Sequence, residues 1–327
     1  MKTVFFETKG REKTYLKKYF KTAEFVDEPL TESNASKYST YEIIGVFITS
    51  KINKTVLEKL RKTKIITTMS TGYDHIDIRE CKKKGITVCN VPVYGENTVA
   101  EHTFALILTL SRKIHEANKR VQKEDFSTTG LEGFDLKGKT IGIIGTGHIG
   151  LHVIRIAKGF GMNVIAYDLY PNNFLAEVLG FKYHDMSTVM KTSDILTLHI
   201  PYNTETHHLI NKRNINTIKK GALLINTARG ALIETKALVE ALECGTLNGI
   251  GIDVLEGEEL LKEDKRTICK DKKQLSNLAI DELLINKPNV IYTPHIAFYS
   301  KEAVKRILDT TIQNIKSYEK GKTTNKV

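Results

Sequence analysis

Thr140-Ile141-Gly142-Ile143-Ile144 leads without a break into Gly145-Thr146-Gly147-His148-Ile149-Gly150. The first five residues are a short apolar run rich in β-branched side chains, the pattern of a buried strand. The next six place glycine at the three positions where a strand turning sharply into a helix needs it. Gly145 permits the tight turn, Gly147 lets the backbone approach a pyrophosphate, and Gly150 lets the new helix pack on the strand. His148 and Ile149 open that helix, so its exposed N–H groups and positive dipole end face the phosphate charges. The next strand candidate, Asn163–Tyr167, is followed by Asp168. A carboxylate there can accept both ribose hydroxyls of an adenosine half and would repel a 2′-phosphate, and Leu169 and Tyr170 offer no cation to neutralise one. NAD, as NADH in the reducing direction, is therefore the expected cofactor. FAD uses a similar fingerprint, but normally at the start of a chain.

Outward from this unit the rhythm continues. Strand candidates Asp194–Ile200, Ala222–Asn226, Gly249–Val254 and Asn289–Thr293 follow, most of them separated by helical segments such as Thr235–Cys244, which Gly245 closes. That spacing predicts a doubly wound parallel sheet. Upstream, Lys2–Phe6, Tyr41–Ile48, Lys64–Met69 and Ile86–Asn90 alternate with helices such as Lys54–Arg61, which predicts a second parallel sheet covered by helices. A long helix capped by Asn97 is expected to run to about Val121 on its apolar spacing, followed by an irregular connection from Phe126 to Lys137. After Tyr299, Ser300 can cap a final helix with apolar Val304, Ile307, Leu308, Ile312 and Ile315. The expected fold class is α/β, with two Rossmann-like or flavodoxin-like doubly wound domains.

Composition agrees with an ordinary globular protein of two lobes: 327 residues, 41% hydrophobic and 27% charged. No apolar run approaches the roughly 18 residues that cross a bilayer, and the N-terminus lacks the apolar core of a signal peptide, so a cytoplasmic protein without membrane contact is expected. The net charge of +11 is spread along the chain in short runs such as Lys82-Lys83-Lys84. No basic stripe interleaved with aromatics points to nucleic acid, and the positive field suits an anionic substrate. Cys81, Cys89, Cys244 and Cys269 are scattered and lack metal-ligand spacing, so reduced thiols and no metal are expected.

Three late segments lie at or beyond strand C-termini, where open α/β sheets bind ligands. Arg229, in Asn226-Thr227-Ala228-Arg229-Gly230, offers a planar fork to a carboxylate, or braces a loop. Glu258, in Asp253-Val254-Leu255-Glu256-Gly257-Glu258-Glu259, is by itself an acid on a solvated loop. His295, in Thr293-Pro294-His295-Ile296-Ala297-Phe298-Tyr299, becomes a plausible proton donor only with a carboxylate partner.

Together with Gly72-Tyr73-Asp74-His75-Ile76-Asp77 and Val99-Ala100-Glu101-His102-Thr103, these segments resemble the D-isomer-specific 2-hydroxyacid dehydrogenase family over nearly the full length. The resemblance implies a discontinuous substrate domain, residues 1–98 plus 300–327, and an NAD-binding domain, 99–299, with the active site in the cleft between them. It assigns Arg229 to the substrate carboxylate and carbonyl, His295 to general acid chemistry, and Glu258 to orienting His295 and raising its pKa. Asp253 is implied to hold the nicotinamide carboxamide, with Thr227 and Ala228 near that ring and Ile200, Pro201 and Thr206 beside the cofactor. Ser70, Thr71 and Gly72 match the loop whose backbone meets the substrate carboxylate, and Tyr299 joins the substrate-binding set. A homodimer is likewise implied.

The Glu-Gly-Glu-Glu run, the lysine-rich insertion from Leu260 to about Leu278, and Ala297-Phe298-Tyr299 resemble the D-lactate dehydrogenase branch, which includes the VanH-type enzymes. The implied activity is NADH-dependent reduction of a small 2-keto acid to the D-2-hydroxy acid, pyruvate to D-lactate first. Lactate-type members often carry a tyrosine where this chain has Phe47, with Thr49 nearby, so a longer substrate of the D-2-hydroxyisocaproate type is the alternative. A second class shares the fold and the Arg–Glu–His set: NAD-sensing, non-enzymatic corepressors of the C-terminal-binding-protein type.

Overall fold

The computed structural model describes residues 1–258 and 272–327; Glu259, Cys269 and most of the lysine-rich insertion lie outside them. The chain divides into two units, Met1–Gly95 with Tyr299–Val327, and Glu96–Phe298.

In the first unit, β1 (Thr3–Phe6), β2 (Glu24–Val26), β3 (Ile43–Val46), β4 (Ile65–Thr68) and β5 (Thr87–Cys89) form a parallel sheet in the order β2-β1-β3-β4-β5. This is the flavodoxin-like winding, whose direction reverses between β1 and β3. Every residue of β1, β3 and β4 is buried, which is why they read as continuous apolar runs, as parallel strands covered on both faces do. The edge strand β2 has no fully buried residue and escapes sequence reading, because three half-exposed residues show neither a run nor an alternation. The final helix, Lys301–Glu319, starts where Ser300 accepts from Ala303 N (3.1 Å) and buries Ile307, Leu308, Ile312 and Ile315. Asn314 Nδ2 donates to Asn90 O (2.8 Å), tying that helix to the end of β5.

The second unit contains β6 (Thr140–Ile144), β7 (Asn163–Tyr167), β8 (Lys182–Tyr183), β9 (Ile195–Leu198), β10 (Ala222–Asn226), β11 (Leu247–Ile252) and β12 (Val290–Tyr292). They form one parallel sheet in the order β12-β11-β10-β9-β6-β7-β8. The chain enters at β6, winds outward through β7 and β8, then crosses back to β9 and winds the other way. The switch point of this Rossmann-type sheet therefore lies between β6 and β9, directly below the glycine turn.

The long helix differs from expectation at both ends. It begins at Glu96, so Asn97 sits inside the first turn, where its amide donates to Glu101 Oε1 (3.2 Å) and does not cap. It stops at Ser111, and a separate helix, Ile114–Val121, follows. The break has a local cause. Lys113 adopts a left-handed conformation (φ 51°), and the Ser111 carbonyl is taken by Phe134 N (2.9 Å) from the irregular connection.

Candidate active site

Strand register decides which residues meet. Ile144 pairs with Tyr167 on one side and Leu198 on the other, so Gly145, Asp168 and His199 emerge together at one edge of the sheet. Asn226 pairs with Leu198 and Ile252, and Ile252 with Tyr292. Thr227, Asp253 and Thr293 therefore leave the same edge. Segments far apart in sequence converge because parallel strands all point one way.

At the glycine turn, Gly145 has φ +96°, and a Cβ there would lie 2.5 Å from His199 O. A Cβ on Gly150 would lie 2.1 Å from Gly145 O, so the helix His148–Gly159 sits directly against the turn. Above Gly147 a Cβ would meet nothing within 4 Å. The first turn of any helix carries N–H groups without intrahelical acceptors, and here they open onto free space. This shape, with an acid at the next strand end, fits a dinucleotide. Asp168 is half-buried: Oδ2 accepts from Thr146 N (2.6 Å) and Thr146 Oγ1 (3.0 Å), and Oδ1 from Tyr170 N (2.9 Å). A carboxylate offers about four acceptor positions, so one remains for a ribose hydroxyl. Burial pushes the His199 imidazole down to about 3, so it stays neutral beside the turn and bonds Thr197 Oγ1 (2.9 Å). Ile200 packs its side chain against Gly145, while Thr206 Oγ1 donates to Pro201 O (2.9 Å) and so closes the loop after β9 on itself.

The Arg229 segment is shaped by Asn226, a fully buried residue that sequence reading passed over. Its Oδ1 accepts from Ala228 N (3.0 Å) and its Nδ2 donates to Arg229 O (2.8 Å). Arg229 Nη1 donates to Ala228 O (2.8 Å). A Cβ on Gly230 would lie 2.1 Å from the Leu255 carbonyl carbon, so this turn presses on the backbone leading to Glu258. Thr227 Oγ1 donates to Thr103 Oγ1 (3.0 Å), because the Thr103 proton goes to Val99 O (2.9 Å).

Asp253 has no exposed surface. Its carboxylate accepts from Thr293 Oγ1 (2.5 Å), Ile296 N (2.9 Å) and Ala297 N (2.8 Å), and its backbone O accepts from His295 N (2.8 Å). Hydrogen bonds to a buried carboxylate contribute about 1.5–3 kcal/mol each, enough to hold His295 at a left-handed φ of 58°. His102 Nε2 reaches Thr293 Oγ1 (3.0 Å); that hydroxyl already donates to Asp253, so the ring nitrogen is the donor. Burial pushes the His102 pKa down, against a smaller upward pull from Asp253. His295 Nδ1 meets Glu258 Oε1 at 2.7 Å, both largely buried. The imidazole is thereby held through Nδ1, and its Nε2 makes no hydrogen bond among the described residues.

In the first unit, Ser70 is buried; its Oγ donates to Gly72 O (2.6 Å), while Thr71 Oγ1 donates to Val91 O (2.8 Å), so the three residues form a braced turn beyond β4. Tyr299, largely exposed, donates to Glu12 Oε1 (3.0 Å). Glu7, just after β1, had no sequence signal at all. Its carboxylate accepts from Phe47 N (3.0 Å), Thr49 N (3.0 Å) and Ser50 N (3.1 Å), gathering the loop beyond β3 at the switch point of its sheet. The partners are backbone groups, which leave no mark on side-chain composition. Cys81 and Cys89 are buried thiols, pushed up by burial to about 12 and about 11.

Comparison with known proteins places this geometry. Residues 104–297 match the family described as D-isomer specific 2-hydroxyacid dehydrogenase, NAD binding domain. The chain is 38% identical to D-lactate dehydrogenase of Escherichia coli K12, over 99% of this chain and 98% of that one. It is 37% identical to an aromatic 2-oxoacid reductase of Clostridium sporogenes, over 94% and 92%. Among solved structures, D-lactate dehydrogenase from Aquifex aeolicus, complexed with NAD and lactic acid, superposes with a TM-score of 0.89 at 38% identity, covering 98% of this chain and 96% of that one.

Proposed function

The chain belongs to the D-isomer-specific 2-hydroxyacid dehydrogenase family, and from that premise we propose that it reduces a small 2-keto acid to the D-2-hydroxy acid, pyruvate to D-lactate first. NAD is its cofactor, and the dinucleotide in its reduced form supplies the hydride. The helix N-terminus at His148 and Ile149 faces the pyrophosphate, and Asp168 takes a ribose hydroxyl. Arg229 binds the substrate carboxylate and polarises its carbonyl. As the carbonyl carbon accepts hydride, its oxygen gains charge, and His295 delivers the proton from Nε2 while Glu258 holds Nδ1. Complete burial of Asp253 supports a positioning role, fixing the His295 turn, in place of the direct contact to the nicotinamide that the resemblance implies.

The observation that carries this reading is the 2.7 Å His295–Glu258 pair, held by Asp253 at the same sheet edge as the glycine turn. Loss of NADH absorbance with pyruvate, 2-oxobutanoate, 4-methyl-2-oxopentanoate and phenylpyruvate, with product chirality, tests it. Rapid formation of D-lactate is the expected result. Tight NADH binding without turnover of any of the four overturns it in favour of an NAD-sensing protein. Phe47 in place of a tyrosine, together with the aromatic 2-oxoacid reductase relative, favours a second reading in which phenylpyruvate is the better substrate.

The proposal includes a homodimer. The helix Ile114–Val121 buries none of its residues and leaves Ile114 and Val121 about half exposed (52% and 50%), an apolar face suited to a second copy. Light scattering after gel filtration checks it. The cytoplasm, where free thiols such as those of Cys81, Cys89 and Cys244 persist, is the proposed compartment.

A further inference from the structure

The loop after β9 and the turn after β11 bring together a second group of side chains that the proposed reaction does not use. The His207 and His208 rings stack at 3.9 Å with planes 23° apart. His208 Nε2 lies 2.9 Å from Glu256 Oε2. Ligand atoms of His207, His208 and Glu256 all fall within 4.8 Å of one another. The three border a recess of about 300 Å³ that Glu234, Lys236 and Asp281 also line, so carboxylates outnumber the lysine there. The scaffold is firm. His208 N donates to Ala231 O (2.9 Å), its carbonyl accepts from Asn211 Nδ2 (2.8 Å), and Glu256 stands on the backbone against which Gly230 is pressed.

We propose that His207, His208 and Glu256 form a binding site for one divalent transition-metal ion of the zinc class. Two imidazoles and one carboxylate suit Zn²⁺, Ni²⁺ or Cu²⁺ and disfavour Mg²⁺ and Ca²⁺, which take oxygen ligands. Zinc distances of 2.0–2.2 Å put tetrahedral ligand atoms about 3.4 Å apart. The His208–Glu256 pair is close to that separation already. His207 is exposed, with Tyr202 Oη 3.3 Å from its Nδ1, and a modest turn of its ring completes the set. Water fills the fourth position.

The site bears on turnover through the chain itself, a consequence that rests on the function proposed above. Glu256 and Glu258 share one turn, so an ion that grips Glu256 stiffens the segment that positions His295. Bound zinc acts as a brake on the reaction.

Titrating the purified full chain with Zn²⁺ in a calorimeter tests the site without reference to activity. Expected is one ion per chain with micromolar affinity, weakened tenfold or more in His207→Ala and in Glu256→Gln. His207 is exposed and outside the catalytic set, so the first variant should fold normally. Cys244→Ser controls for the exposed thiol and should bind zinc as the parent does. Undetectable binding by the parent, or unchanged affinity in His207→Ala, overturns the proposal and leaves His208–Glu256 as a hydrogen-bonded brace. Saturating zinc should lower turnover severalfold in the parent and leave His207→Ala unaffected. Binding without that loss removes the brake but not the site, and a chain that turns over no keto acid yet binds zinc separates a failure of the proposed reaction from a failure of the site.

Discussion

Asp168 and Asp253 stand at the ends of β7 and β11 in one parallel sheet, and each carboxylate accepts three hydrogen bonds, but only Asp168 has its remaining acceptor position within reach of solvent. Asp168 is half-buried, holds Thr146 and Tyr170, and keeps one position open beside the glycine turn. Asp253 also holds three donors, Thr293, Ile296 and Ala297, but it has no exposed surface and His102 Nε2 lies 3.5 Å from its Oδ1, so burial closes it to a ligand. The same residue type at equivalent places is thus open to a ligand in one case and closed around the chain in the other. What separates them is burial together with the loop that follows. After β7, exposed Leu169 and Tyr170 lead away from the sheet, whereas after β12 the chain folds back over Asp253 and presents His295.

The comparison breaks most visibly at His295. If the closed corner exists to aim this imidazole, His295→Ala should reduce keto-acid turnover by roughly 10²–10⁴-fold while NADH binding persists. His295→Asn, whose side chain tolerates the left-handed backbone, keeps the loop and isolates loss of the proton donor. Stopped-flow turnover beside NADH fluorescence titration reads both, and near-parental turnover in either variant would remove His295 from the mechanism.

Asp253→Asn sharpens the contrast from beneath. One carboxylate oxygen becomes an amide NH₂ that faces either Thr293 Oγ1 and Ile296 N or Ala297 N, donor against donor, so the variant should lose about 3 kcal/mol of stability. Turnover should fall about 10–100-fold through misplacement of His295, with little change in NADH affinity. Urea unfolding and steady-state kinetics report the two effects. A variant with full stability and full turnover would mean that the His295 turn supports itself.

On the open side the expected effect is smaller and of a different kind. Asp168→Ala should weaken NADH binding by roughly tenfold, about 1.4 kcal/mol, and narrow the preference over NADPH, because the repelling carboxylate is gone. kcat at saturating NADH should hold. An unchanged NADH/NADPH ratio would contradict the ribose assignment.

The sequence showed one kind of residue well and another poorly. Strand runs such as Thr140–Ile144 and the glycine turn announce themselves by apolarity and spacing, and parallel register then forces Asp168, Thr227, Asp253 and Thr293 to a common edge. Glu7 and Asn226 work by binding backbone N–H groups and carbonyls, and His102 by reaching from a helix to Thr293 Oγ1 and toward Asp253. No local pattern marks such partners. The short edge strands β2 and β8 failed for want of length. Nothing in the sequence marks the end of the long helix at Ser111, where the left-handed Lys113 and the Phe134 N–H on the Ser111 carbonyl break it.

The smallest effect probes how completely the closed corner is satisfied. Tyr292 precedes Thr293, and its hydroxyl is buried with no hydrogen-bond partner among the described residues. Burial, then the carboxylates of Glu258, Asp253 and Asp281, push its phenol upward, so it stays protonated. An unpartnered buried hydroxyl opposes folding, and removing it while keeping the ring should be neutral to favourable. Tyr292→Phe should therefore raise stability by up to about 1 kcal/mol, a shift in Tm of roughly 1–2 °C by calorimetry, with turnover unchanged. If the variant is instead destabilised, the hydroxyl bonds to a buried water, and the corner around Asp253 extends one residue further than its protein contacts indicate.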